Sequence, residues 1–308
     1  MIISASRRTD IPAFYSEWFL KRIKEGYCTV PNPFNAKQVT KINLSASSVD
    51  AIVFWTRNAK PILEKLDFLS KRSYKFYFQY TINNFEKGFE PNSPNIESAI
   101  NTFKILSNII GPGKVIWRYD PIIITETMDE NFHINNFQNL ANQLNRYTKK
   151  VVVSIVDDYK KTLRRVFKVD SSYQSKLEER EKTDNLLQVI SEIAHQNNLK
   201  IETCAEKKDY SNIGIKPGKC IDDKLILDEL GVELNLKKDK NQRKECGCVI
   251  SKDVGMNNSC IMGCEYCYAT ISQKVAIKNF KSHNPNSPSL LGWHEAPPEK
   301  IEDQLGLF

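Results

Sequence analysis

The chain has 308 residues, of which 41% are hydrophobic and 26% charged, with a formal net charge of +7; this is ordinary soluble composition and enough length for one large α/β core. No run of about 18 apolar residues occurs, which argues against a membrane-spanning helix, and the opening MIISASRRTD is charged too early for a secretory signal, so a cytoplasmic protein without a membrane partner is expected. The mild positive charge permits nucleic acid or a phosphorylated substrate but demands neither, because a solvated lysine-rich surface accounts for it.

Six β-rich runs follow one another along the chain, each ending in a polar burst. They are IISAS (2–6) before RRTD, AIVFW (51–55) before TRN, KFYFQYTI (75–82) before NN, KVIWRYD (114–120), KVVVSIV (150–156) before DDY, and LKIETCAE (199–206). Helix-period apolar positions lie between them: Trp18, Phe19 and Ile23; then Ile62, Leu63, Leu66 and Leu69; then Ile100, Phe103, Ile105 and Leu106; then Phe137, Leu140 and Leu144; then Leu186, Leu187, Ile190 and Ile193. Residues 28–50 interrupt the rhythm with a hairpin pattern around PNPFN, and residues 213–259 combine a short helix, IDDKLILDELG, with the lysine-rich LKKDKNQRK. The proline-rich tail from His283 to Phe308 is expected to wrap the surface.

Repeated strand–helix alternation implies parallel strands joined by right-handed crossovers. The strand ends are loaded with functional side chains: Arg7, Arg8 and Asp10; Thr56, Arg57 and Asn58; Gln79 and Thr81; Arg118 and Asp120; Asp157 and Asp158; Cys204 and Glu206. A doubly wound sheet gathers ligand contacts at one switch point, whereas a barrel gathers them from every strand end. The expected fold is therefore α/β, a partial TIM-type (β/α)6 barrel over residues 1–212, with a cysteine-rich segment over 213–308 packing across the barrel mouth. No Gly-rich dinucleotide or P-loop motif occurs.

Seven of the eight cysteines fall after residue 200, a clustering that in a reducing compartment points to metal or redox chemistry rather than disulfides. Cys28 stands apart and reads as a small core residue. Cys260, Cys264 and Cys267 form C-x₃-C-x₂-C in SCIMGCEYCYAT. Structural zinc wants four ligands, whereas three thiolates on one loop can hold three irons of a cubic four-iron cluster and leave the fourth open.

With Tyr266 before the last cysteine, the loop resembles the C-x₃-C-x-aromatic-C signature of the radical S-adenosylmethionine (SAM) enzymes. That resemblance implies a partial barrel and a 4Fe-4S cluster. It also implies SAM chelated on the open iron, reductive release of a 5′-deoxyadenosyl radical, and an electron donor such as flavodoxin or ferredoxin. In most such enzymes the cysteine loop follows the first strand; here SRRTDIP follows it, and the motif comes after all six strands. The chain also resembles an uncharacterised bacterial family with SRRTDIP, FWTRN, CAE and CEYCYA as landmarks. The loop is expected to fold back over the mouth, facing Arg118, Asp120 and Glu206.

Arg118, Asp120, Asp157 and Glu206 are the candidates for SAM's carboxylate, ammonium and ribose hydroxyls, although Arg118 and Asp120, two apart on one strand, could simply pair. Arg7, Arg8, Asp10, Gln79 and Thr81 are the substrate candidates, the substrate being a small or nucleotide-type molecule. Cys204, Cys220, Cys246 and Cys248 match the ligand count of a second iron–sulfur cluster or a zinc site, and equally fit plain buried thiols. Trp55 and Trp117 read as core, and His133, His195, His283 and His294 are scattered without ligand spacing. The competing reading is a zinc- or iron–sulfur-containing nucleic-acid-binding protein without SAM chemistry, motivated by the lysines at 237–244 and by Lys274, Lys278 and Lys281.

Overall fold

The computed structural model describes residues 1–33, 35–173 and 180–296. The chain opens with β1 (Ile2–Ala5), α1 (Ile11–Phe14) and α2 (Ser16–Glu25), then forms the hairpin β2 (Tyr27–Asn32) and β3 (Asn35–Asn43). Alternation follows: β4 (Ala51–Thr56), α3 (Leu66–Ser70), β5 (Phe76–Thr81), α4 (Ile96–Ile110), β6 (Val115–Ile122), α5 (Glu130–Leu144), β7 (Lys150–Ile155), α6 (Lys160–Val169), α7 (Arg180–Gln196) and β8 (Lys200–Thr203). The last part contains β9 (Lys216–Pro217), α8 (Asp223–Leu230), β10 (Lys252–Asp253) and α9 (Gln273–Lys281). Helix starts are set by side chains that take up orphan backbone N–H groups: Asp10 for α1, Asn95 for α4, Asp129 for α5, Asp222 for α8 and Ser272 for α9.

Eight parallel strands form one sheet in the order β10-β1-β4-β5-β6-β7-β8-β9. From β1 to β8 the spatial order follows the chain, apart from the separate hairpin, so the strand order never reverses and there is no doubly wound switch point. Crossovers of one hand then bring the helices onto one face. Strand alternation divides the side chains accordingly. Phe54, Phe78, Trp117, Val153 and Ile201 meet Trp18, Phe103, Phe137 and Ile190 in the main core, where Trp117 stacks on Phe137 with ring centroids 4.8 Å apart. Ile2, Val53, Tyr77, Ile116 and Val152 point to the opposite, inner face and pack against Ile221, Leu225, Ile226, Leu230 and Val249.

Two expectations change. The sheet has eight strands rather than six, because β9 and β10 add two residues each at its edges, too few to leave a period in the sequence. Those edges are not paired to each other, so among the described residues the sheet does not close into a barrel. Residues after 212 share this sheet, and α8 covers its inner face. The described part of the tail lies against α2 and β2: Trp18 Nε1 donates to Ser287 O at 2.9 Å and Thr29 Oγ1 to His294 O at 2.6 Å. Residues 297–308 of the expected wrapping tail lie outside the described residues.

Candidate metal centre over the strand ends

The cysteine motif reaches its place through β10. Ile3 pairs with Lys252 and Ser4 with Asp253 in parallel register, so the chain leaves β10 at the same end of the sheet where β1 gives way to SRRTD. Asp253 fixes that junction by accepting from Ser4 Oγ and Ser6 Oγ (both 2.7 Å), Arg7 N (3.1 Å) and Gly255 N (2.9 Å), and by pairing with Arg8 at 3.1 Å. Gly255 has to be glycine, since a Cβ there would lie 2.1 Å from Ser6 Oγ. Beyond it, Thr9 Oγ1 shares a 2.5 Å hydrogen bond with Ser259 Oγ, and Tyr15 OH donates to Ser259 O at 2.6 Å.

The loop is held from its other side by β5 and its following turn. Glu265 N donates to Phe89 O at 3.0 Å and Asn92 Nδ2 to Ile261 O at 2.8 Å. Tyr266 turns inward, so that its hydroxyl donates to Glu90 and accepts from Arg57. Arg57 Nη1 pairs with Glu90 at 2.8 Å, and Asn83 Nδ2 donates to the same carboxylate at 3.1 Å. From α6, Arg165 donates to the carbonyls of Cys267 and, at 2.9 Å, Thr270. Cys260, Cys264 and Cys267 line one hollow with Met262, Arg165 and Gln273. Burial, then the charges of Asp10, Cys267 and Cys264, raises the Cys260 thiol well above its usual range. Burial pushes Cys264 up to about 12, against the pull of Arg57. Burial of this kind keeps the thiols neutral in the absence of a cation.

The remaining expected site residues fall into three groups. Arg118 and Asp120 pair, as two residues on one strand face can: Arg118 Nε lies 2.9 Å from Asp120 Oδ2, and Ser154 donates to the other carboxylate oxygen. Arg118 also holds Asp120 below the usual carboxylate range, against the effect of burial. Asp157 pairs with Arg243 at 2.5 Å, and Glu206 accepts Ile155 N at 3.0 Å. Asp10 receives Ala13 N, Thr56 Oγ1 and Arg57 N (3.0, 2.8 and 2.7 Å), and burial raises it to about 6. Thr81 lines a cleft with Arg57, Asn83, Asn84, Lys87 and Glu90.

The arginines that touch the motif are thus Arg57 and Arg165. Arg57 was visible only as one of many polar strand ends, and Asn83 only as part of NN. Glu90 and Arg165 carry no sequence signal, because their role comes from tertiary contact alone.

Arg118 instead joins the other cysteines. Its Nη1 lies 3.0 Å from Cys220 Sγ and 3.2 Å from Gln79 Oε1, and Gln79 Nε2 donates to Cys220 O at 3.0 Å. Cys204 Sγ and Cys220 Sγ are 3.4 Å apart. Gly218 lets this segment press on β8, where a Cβ would meet Thr203 O at 2.7 Å. Arg7 packs over Trp55, 5.2 Å from the ring centroid. Among the described residues, no group of three or more His, Cys, Asp or Glu side chains is arranged to hold a metal ion.

Residues 2–269 match a family described as a domain of unknown function (DUF1848). No curated protein and no solved structure matches the chain. With most of its length covered, the protein belongs to the DUF1848 family.

Proposed function

We propose that this DUF1848 member is a radical SAM enzyme built on a partial (β/α)6 barrel, with Cys260, Cys264 and Cys267 as ligands of a 4Fe-4S cluster. The observation that carries the reading is the route of the motif. The loop leaves a strand paired in parallel with β1, at the edge of a sequentially wound parallel sheet, and is bound by SRRTD, Arg57 and Glu90 at the strand ends. Three thiols on that loop fit a cluster with one open iron. When bound, the cluster would supply the electron that splits the sulfonium C–S bond of SAM into methionine and a 5′-deoxyadenosyl radical.

The chain's own residues prepare the site. Arg57 brings positive charge to Cys264, favouring the thiolate. Tyr266, hydrogen-bonded to both Arg57 and Glu90, fixes the loop. Asp120, held ionised by Arg118 and close enough to Arg57 for their charges to interact, is the acidic group suited to an ammonium or a ribose hydroxyl. The cleft lined by Thr81, Asn83, Asn84 and Lys87 has the polar donors for a small or nucleotide-type substrate. On the outer side, exposed Ile271 and Val275 with Lys274 and Lys278 form a basic, partly apolar surface for an acidic electron donor such as flavodoxin or ferredoxin. No described helix is long and apolar enough to cross a membrane, and the free thiols suit a reducing, cytoplasmic setting.

Anaerobic reconstitution tests the reading. The wild type is expected to be brown, to carry the iron and sulfide of a four-iron cluster at the motif, and to release 5′-deoxyadenosine when reduced with SAM. Cys260→Ala/Cys264→Ala/Cys267→Ala is expected to lose all three properties. Wild-type protein that retains no iron under strict anaerobiosis overturns it.

A further inference from the structure

The second cysteine group lies on the inner face of the sheet. Its sulfurs come from three separate chain segments: Cys204 from the end of β8, Cys220 from the turn before α8, and Cys246 and Cys248 from the C-G-C before β10. They gather in one cluster. Cys204 touches Cys220 at 3.4 Å, and Cys220 and Cys248 share a buried cluster against which Cys204 and Cys246 pack. Cys248 and Cys220 are buried, at 1% and 7% exposure.

The surroundings are those of anionic sulfur. Ile221 N points at Cys248 Sγ at 3.3 Å, and Arg118 Nη1 at Cys220 Sγ at 3.0 Å. The Arg7 guanidinium lies close enough to Cys248 and Cys220 for their charges to interact, and its Nη2 is buried with no partner. A buried, unsatisfied guanidinium nitrogen beside neutral thiols is costly, whereas beside metal-bound thiolates it is a charge-compensating donor. Four thiolates and a divalent ion carry two net negative charges, and Arg7 and the Asp120-paired Arg118 both face the cluster.

We propose that Cys204, Cys220, Cys246 and Cys248 form a second metal centre, a closed tetrathiolate site for a single tetrahedral ion of the zinc class. Sulfurs around such an ion, with metal–sulfur bonds of about 2.3 Å, stand about 3.8 Å apart, close to the contact spacing of Cys204 and Cys220. A four-iron cube would hold its ligand sulfurs well out of mutual contact. A closed four-ligand site has no open position and is structural. Its task is to staple the segment covering the inner face to β8, and with it β10, which begins only a few residues after Cys248 and delivers the motif loop. This inference does not depend on the SAM reading.

The test uses the full chain carrying Cys260→Ala/Cys264→Ala/Cys267→Ala, which removes the motif's ligands. This variant is expected to retain about one zinc per chain and, stripped and titrated with Co²⁺ alone, to show the thiolate-to-metal charge-transfer absorption of a four-sulfur site. Adding Cys220→Ser and Cys248→Ser is expected to lower zinc retention against a chelator by at least tenfold. Arg7→Gln, which leaves every ligand in place, is expected to weaken retention about tenfold and provides the reading if the serine variants do not fold. A motif-free protein that binds neither zinc nor Co²⁺, that holds iron and inorganic sulfide instead, or that carries a Cys204–Cys220 disulfide overturns the proposal.

Discussion

Glu90 is the residue on which the cysteine loop turns. It is 3% exposed and accepts from Arg57 Nη1 at 2.8 Å, from Asn83 Nδ2 at 3.1 Å and from Tyr266 OH. Glu90→Gln keeps the shape and one acceptor oxygen but removes the charge. The Arg57 side chain, 13% exposed, then stands in the interior without its main partner. Breaking a buried pair in this way costs about 3–5 kcal/mol. The nearby charge of Asp120 offsets part of this, which puts the expected loss near 3 kcal/mol. Tyr266→Phe, removing one buried hydroxyl, is expected to cost about 1–3 kcal/mol. Because the two side chains share one hydrogen-bond network, the double variant should lose less than the sum of the two, with a coupling of about 0.5–3 kcal/mol. Urea unfolding followed by tryptophan fluorescence, under anaerobic reducing conditions and without metal, measures all three. A Glu90→Gln loss below about 1 kcal/mol, or additivity within about 0.5 kcal/mol, would refute the idea that this carboxylate ties the loop to the sheet.

Two further outcomes follow from the same structure. His133 is fully buried, donating from Nε2 to Ile123 O at 2.9 Å and accepting Tyr119 OH at Nδ1 at 2.8 Å, and burial lowers it from 6.5 to about 4. The unfolded chain therefore binds the extra proton between those values, so stability is lost as pH falls through that window, by about 3 kcal/mol in full. His133→Gln lacks this slope, and its stability deficit relative to wild type should shrink by about 2–3 kcal/mol between pH 7 and pH 4.5; a deficit independent of pH contradicts the assignment. Gly255→Ala forces a methyl onto Ser6 Oγ and is expected to cost about 1–3 kcal/mol in urea unfolding, with Gly255→Ala/Ser6→Gly recovering most of it; no recovery would mean that the clash lies elsewhere.

The sequence spoke clearly wherever a structural rule has a period. The runs at 51–55, 75–82 and 150–156 became β4, β5 and β7 within a residue or two, because a strand buried on both faces is a continuous apolar run. The segment read as a helix from Ile62 to Leu69 starts instead as a 3₁₀ turn over Lys60–Lys65, with Pro61 in its first turn, where a missing N–H costs nothing. The two edge strands were invisible because two residues have no period. The motif's cysteines were legible, but the residues that support the loop were not. Glu90 and Arg165 sit in stretches that resemble any polar loop or amphipathic helix, and only packing selects them. Arg118 and Cys204 were legible as polar strand ends, but their common partner, Cys220, comes from a turn whose return to the sheet no local pattern announces.

The pairing of β10 with β1 also fixes a sequence of events. A ribosome delivers the N-terminal part of a chain first, so Ser4, Ser6, Thr9, Arg57 and Glu90 are synthesised long before Cys260 emerges. The contact between Arg7 and Asp253 spans 246 positions, and it can form only after every helix-linked strand has been made. The exposed edge of β1 therefore waits, unpaired, for nearly the whole of translation. The three thiols of the motif arrive last, so docking of that loop onto the strand ends is a finishing step of folding rather than a nucleus for it.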